Sequence, residues 1–248
     1  MDRQNRQKLK EQLTGGVNVL ILLTIALIYT VTGTRLGDDA VSALGSSRTV
    51  YAGKANGFAA ISCMVSWDAE ALPELLDVLL ERDVRITFFV SGKWAKTHAS
   101  LLRRMAEEGH EIGTCGYAPL LDGGVQTVTR DVEAACGVIR EVTGAPVRYY
   151  CSGRRNRDIS ARAAEKLELI HVSASADLLS ARDDAKDLVE RACQRGFDGS
   201  ILMIQPTDTA LEALPGILDA LAQKGLPVST VGKLLKGNER YDNRQNAA

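Results

Sequence analysis

Two periodicities alternate along the chain from Ala59 onward. Short apolar runs of strand length recur: AAISCMV, RITFFVS, EIGTCGY, VRYYC, HVSAS, SILMIQ and PVSTV. Between them lie stretches with apolar residues at helical spacing: EALPELLDVLLERD, ASLLRRMAEEG, VQTVTRDVEAACGVIREVTG, ISARAAEKLEL, DDAKDLVERACQRG and TALEALPGILDALAQKG. In the first, Leu72, Leu75, Leu76, Leu79 and Leu80 follow the i, i+3, i+4 rule of a helix with one buried face. Gly109, Gly144, Gly196 and Gly225 close helical stretches where a left-handed cap is wanted. Strands alternating with helices predict a parallel sheet of about seven strands, most naturally closed into a barrel. Chemistry in such folds sits on loops after the strands' C-terminal ends. ISCMVSWD, GTCGYAP, YYCSGRR, VSASAD and MIQPTD are therefore the candidate site loops.

The pattern before Ala59 differs. Residues 16–32, GVNVLILLTIALIYTVT, carry no charge. At about 1.5 Å per residue they reach roughly 25 Å as a helix, enough for a thin or locally adapted bilayer. Arg3, Arg6, Lys8 and Lys10 outweigh Asp2 and Glu11 before that run, which places residues 1–15 in the cytoplasm and the rest outside. A cleaved signal peptide is the competing reading. No small-x-small site directly follows the run, and Val41-Ser42-Ala43 comes only after two acids, so an uncleaved single-pass anchor is favoured. Residues 33–58 read as a Gly-, Ser- and Ala-rich linker with a short strand around Thr49 to Tyr51, and 237–248 as a flexible tail. The domain proper is 59–236.

Composition narrows the function classes. With 25% charged residues and a net charge of -1, bulk charge makes no case for nucleic acid. Five Cys in 248 residues form no disulfide framework, no CxxC and no Cys/His cluster of zinc-finger spacing. Cys136 and Cys193 lie on helical stretches and read as core, as does Cys63 by strand alternation. The chain has three His. His98 begins a helix, His110 precedes a strand and His171 opens one, and packing or surface roles are expected for each.

At the candidate loops the sequence resembles the polysaccharide deacetylase family, the NodB-homology or carbohydrate esterase family 4 domain. The membrane-anchored, sporulation-associated branch is the nearest. SWDAEALPELLDVLLERDVRITFFVSGKWAKTHASLLRRMAEEGHEIGTCGY and DGSILMIQPTDTALEALPGILDALAQKGLPVSTVGKLL carry the likeness, which runs from about Ala59 to Leu235. It implies a distorted (β/α) barrel and hydrolysis of an N-acetyl group from a glycan. In the family a divalent metal such as zinc, held by an Asp and two His, polarises the carbonyl and its water. A second Asp is the base and a late His the acid.

The resemblance also shows what is missing. The base position falls on Met64, which has no proton to exchange, and the neighbouring metal position on Val65. The His-x-x-x-His pair falls on Cys115 and Pro119. The Arg that tethers the base is absent from Tyr149-Tyr150-Cys151-Ser152-Gly153 unless Arg148 replaces it. The fourth motif falls on Ser173-Ala174-Ser175-Ala176-Asp177 and is largely blank, and the acid His falls on Gln205. The expected catalytic residues are therefore none, and no metal is expected at the family positions. The cleft is expected to be lined by Met64, Trp67, Asp68, Cys115, Tyr117, Tyr149, Tyr150, Cys151 and Gln205, with Glu70 nearby.

Cys115 and Cys151 are read as small buried hydrophobes, with a disulfide and a thiolate metal site with Asp68 as alternatives. Arg148, Arg154, Arg155 and Arg157 form the densest basic cluster of the body, either a site for an anionic glycan or phosphate or a solvated helix entry. Trp67 and Trp94 are either sugar platforms or packing groups. The reading is a membrane-anchored, inactive deacetylase homologue that binds cell-wall glycan or scaffolds envelope proteins. An active, metal-dependent or remodelled N-deacetylase and a purely structural envelope protein are the alternatives.

Overall fold

In the computed structural model, residues 49–67, 70–118, 123–153, 155–178 and 184–236 are described, and all lie in one compact unit, Arg48–Ala248. The expected anchor at 16–32 and the tail from 237 lie outside the described residues. No helix among the described residues is long and apolar enough to cross a membrane.

β1 (Ala59–Val65) is buried at every position, as a central parallel strand covered on both faces must be. Alternation sorts its side chains. Ala59, Ile61, Cys63 and Val65 join the large core beneath the helices. Ala60 and Met64 face the other way, into an inner cluster with Phe89, Cys115, Tyr149, Cys151 and Met203. The other strands are β2 (Thr87–Val90), β3 (Glu111–Thr114), β4 (Tyr149–Cys151), β5 (Ile170–Val172), β6 (Ala176–Asp177), β7 (Ile201–Ile204) and β8 (Val228–Ser229).

The hydrogen-bonded order is β5-β4-β3-β2-β1-β7-β6, with β8 pairing the start of β1, and the named pairs are all parallel. The expected closed barrel is thus an open half-barrel: β5 and β6 are neighbours in sequence but lie at the two ends of the path. The reason is local. Ser175 bonds across to Ile201 through both its backbone N–H and its hydroxyl, which pulls the chain away from β5. The free edge of β5 is taken instead by the segment before β1. Val50 N–H donates to His171 O, and Ser173 N–H donates to Val50 O, both at 2.8 Å. Ala52 then bridges Ser200, and the Asp198 carboxylate accepts the Asn56 and Gly57 N–H groups at 2.9 and 2.8 Å.

The helices are α1 (Leu72–Glu81), α2 (Gly92–Thr97), α3 (Ala99–Glu107), α4 (Val125–Thr143), α5 (Arg157–Lys166), α6 (Ala185–Arg195) and α7 (Asp208–Gln223). α1 buries Leu72, Leu75, Leu76 and Leu79, each contributing about 1.5–3 kcal/mol. Leu80, included in the expected stripe, falls outside it and is 49% exposed. α2, capped by the Ser91 hydroxyl on Trp94 N–H, is too short to show a helical period in the sequence. α6 carries a reciprocal capping box of Asp184 and Asp187. It buries Leu188 and Ala192, which leaves Cys193 exposed about 100° further round rather than in the core.

Gly109, Gly144 and Gly225 adopt the expected left-handed conformation. Gly196 does not; its backbone is extended. A Cβ there would sit 2.6 Å from Leu221 Cδ2 and 2.7 Å from Ala192 O, so close approach of α7, not the cap, requires glycine.

Candidate functional site

A cavity of about 530 Å³ opens at the C-terminal ends of the strands, where a parallel sheet places its ligands. Its floor is apolar and sulfur-rich: Met64, Cys115, Cys151 and Met203. Met64, Cys151 and Met203 share the inward parity of β1, β4 and β7, and Cys115 directly follows β3. The walls and rim bring Trp67, Gln205, Asp177 and Arg157, with hydroxyls from Ser66, Ser152, Ser173 and Thr207. Trp67 is 56% exposed, an aromatic face standing in solvent at the mouth.

The floor thiols are uncharged. Burial pushes Cys115 far up, and the neighbouring Cys151 adds to that. Burial also lifts Cys151, to about 11, with the Asp177 charge in the same direction. Both are free thiols with no disulfide between them.

Of the residues named from the sequence, Met64, Trp67, Cys115, Cys151 and Gln205 line this cavity. Asp68, Pro119 and Arg154 lie outside the described residues. Other expectations are corrected. Tyr149 faces inward but a layer lower: its hydroxyl lies 2.9 Å from where a Cβ on Gly232 would stand, and it does not reach the cavity. Tyr150 points the opposite way, fully buried among α4 and α5 residues, with its hydroxyl 3.4 Å from Ser160 Oγ. Tyr117 is held by its backbone to α4 and does not line the cavity, nor does Glu70. Val65 packs under the helices, away from the cleft.

The basic cluster is dispersed. Arg148 is exposed before β4, at the strand's far end from the mouth, so it cannot replace the tethering Arg. Arg155 is buried, and its guanidinium pairs with Asp131 at 2.8 Å and donates to Tyr150 Oη and Ala118 O. It is an internal clamp, not an anion site. Among the described residues of the cluster Arg157 alone reaches the cavity, and its guanidinium also lies 5.6 Å from the Tyr51 ring centroid. Trp94 is a packing group, 3% exposed and stacked on His98 at 4.9 Å.

His110 is buried against Phe88 with Nδ1 accepting from Ile86 N–H at 3.3 Å. His171 lies within β5, with Nδ1 2.8 Å from Thr49 Oγ1 and Nε2 3.0 Å from Ser152 Oγ. Burial lowers each to about 4, with the Arg157 charge adding at His171. Both are neutral structural groups.

These residues do not fit the family's divalent metal. Among the described residues no group of three His, Cys, Asp or Glu could hold an ion. The cavity floor carries thioethers and neutral thiols, and both ring nitrogens of His171 are engaged elsewhere. The arrangement suits binding: an aromatic face, an amide, hydroxyls and a carboxylate above an apolar floor. Sequence reading missed Asp177, Met203, Ser152 and Thr207 as lining groups. Parity was the available signal for Met203, which shares the inward face with Gln205.

Residues 62–170 match the polysaccharide deacetylase family. A Bacillus subtilis (strain 168) protein, YlxY, is 25% identical over 179 residues, 69% of this chain; the match spans only 55% of that protein's length. The chitooligosaccharide deacetylase of Rhizobium leguminosarum bv. trifolii is 28% identical over 179 residues, 64% of this chain and 82% of that one. The same fold occurs in a CE4 family pseudoenzyme from Bacillus anthracis, with a TM-score of 0.72, 23% identity, and coverage of 76% of this chain and 69% of that one. A mutant of that pseudoenzyme is described as having restored enzymatic activity.

Proposed function

The chain belongs to the polysaccharide deacetylase family through residues 62–170, and from that premise we propose that it is a deacetylase-like protein that binds glycan without deacetylating it. Residues 16–32 anchor it in the cell membrane as a single pass, with the domain on the extracytoplasmic side, where cell-wall or spore-envelope glycan and envelope proteins are its partners.

The observation that carries this reading is the floor of the cleft. By the resemblance the family's base position falls on Met64, which lines the cavity at the mouth end of β1. A thioether neither takes a proton from water nor binds a hard divalent ion as a carboxylate does. Cys115 stands at a ligand position, kept neutral by burial, and Gln205 at the acid position. Conversion of a catalytic scaffold into a non-catalytic one also has a precedent of the same fold in the Bacillus anthracis pseudoenzyme.

An active, remodelled hydrolase is the second reading. Its groups would be Cys115, Cys151 and Asp177, which share the cavity. The raised thiols speak against it, because the thiolate is the nucleophile. The test is to incubate the full chain with chitooligosaccharide and with peptidoglycan, with and without added zinc. The proposal expects saturable binding and no acetate release above buffer. Acetate release that disappears in Cys115→Ala establishes the second reading instead.

A further inference from the structure

The chain has five Cys and four Met, and two of each line the same cavity: Met64, Cys115, Cys151 and Met203. We infer that this floor is a binding site for a soft monovalent cation of the copper(I) class, held by the two thiols and supported by the two thioethers. The inference goes beyond glycan binding and does not depend on it.

The sheet register brings the thiols together. Thr114 on β3 pairs with Tyr150 on β4, so Cys115 and Cys151 occupy the next row of the same strand pair. Adjacent strands are about 4.8 Å apart, and both side chains face inward. Each thiol is fully enclosed, and the two are close enough that charge on Cys151 disfavours charge on Cys115. Met64 leans towards the same strand end, with Sδ 3.3 Å from where a Cβ on Gly153 would stand, two residues after Cys151. Met203 enters from β7 on the other side of β1.

The donor set decides the ion. Zinc takes three or four thiolate, imidazole or carboxylate ligands and magnesium and calcium take several oxygens, and no group of three His, Cys, Asp or Glu that could hold an ion exists among the described residues. Thiolate and thioether donors select copper(I) instead. Binding leaves the oxidation state of copper at +1, forms two copper–sulfur bonds, and releases the two thiol protons to solvent.

The test uses the reduced full chain under anaerobic conditions, with copper(I) alone as the probe, titrated against a chromophoric copper(I) chelator. Cys136→Ser and Cys193→Ser are included throughout to silence the half-buried and exposed thiols. About one ion per chain is expected to resist the chelator, with X-ray absorption showing a sulfur-only shell. Cys115→Ser with Cys151→Ser removes binding. Met64→Leu with Met203→Leu conserves volume, keeps the fold and weakens binding by about 10- to 100-fold. Surrender of all copper to the chelator overturns the inference. So does retention that the Met64→Leu, Met203→Leu variant leaves unchanged, whether or not the cysteine variant folds. Chitooligosaccharide binding measured without copper on the same protein separates failure of this site from failure of the glycan reading.

Discussion

Asp131 and Arg155 meet at 2.8 Å with 4% and 5% of their side chains exposed. The pair joins α4 to the loop after β4. The same Asp131 carboxylate accepts the Tyr117 N–H at 3.1 Å and the Ala118 N–H at 2.8 Å. The ion pair thereby ties the loops after β3 and β4 to α4. Removing one partner of such a pair leaves a buried charge uncompensated. Asp131→Ala is expected to cost about 3–5 kcal/mol in chemical denaturation. A cost below about 1 kcal/mol, the value of a surface pair, contradicts the clamp.

Gly116 sits beside that clamp with φ of +92°. A Cβ there would press on the Asp131 carboxylate and lie 2.9 Å from Arg155 Nη1. Gly116→Ala therefore combines backbone strain with a displaced ion pair. It is expected to destabilise by about 1–3 kcal/mol. Gly144→Ala, also left-handed but with nothing within 4 Å, serves as the comparison and should cost less. Equal losses in the two variants would show that Gly116 is a turn residue only.

The sequence is a good guide where burial is symmetric and a poor one where it depends on partners far along the chain. AAISCMV reads as a central strand because all seven residues are apolar or small, and β1 is buried throughout. The family resemblance then puts Met64, Cys115, Cys151 and Gln205 at the cleft, and all four line the cavity. Parity does not give depth, which is why Tyr149 faces inward yet ends beside Gly232 below the cavity. The charge run around Arg155 gives no hint of Asp131, 24 residues earlier, which draws that guanidinium inside. Half-barrel opening was not legible either, because it depends on Ser175 bonding to Ile201, 26 residues further along the chain.

Trp67 offers a clean separation of binding from folding. It is 56% exposed and makes part of the cavity wall. Trp67→Ala should leave thermal stability within about 0.5 kcal/mol of wild type, as for an ordinary surface substitution. Chitooligosaccharide affinity, measured by calorimetry, should fall by about 0.5–1.5 kcal/mol if the ring stacks on the sugar. Unchanged affinity removes Trp67 from the binding site.

Two buried histidines fix the sign of the pH dependence. His110 and His171 have folded pKa values lowered to about 4 by burial. The unfolded chain binds those protons near pH 6.5, so their contribution is fully present above that pH. It is lost as pH falls towards 4, on the order of 2–3 kcal/mol for each histidine. Thermal unfolding followed from pH 7.5 to 4.5 should show a falling Tm that His110→Gln makes shallower. A Tm that is flat across this window contradicts the buried neutral assignment.

The central claim is that the cleft keeps the deacetylase scaffold and has lost its metal chemistry. Elemental analysis of the full chain, reduced and soaked in zinc or cobalt, tests it most directly, with acetate release from chitooligosaccharide measured on the same sample. The account predicts a zinc and cobalt stoichiometry near zero and no acetate above buffer. One tightly held zinc or cobalt per chain, lost in Cys115→Ala together with acetate release, would contradict it.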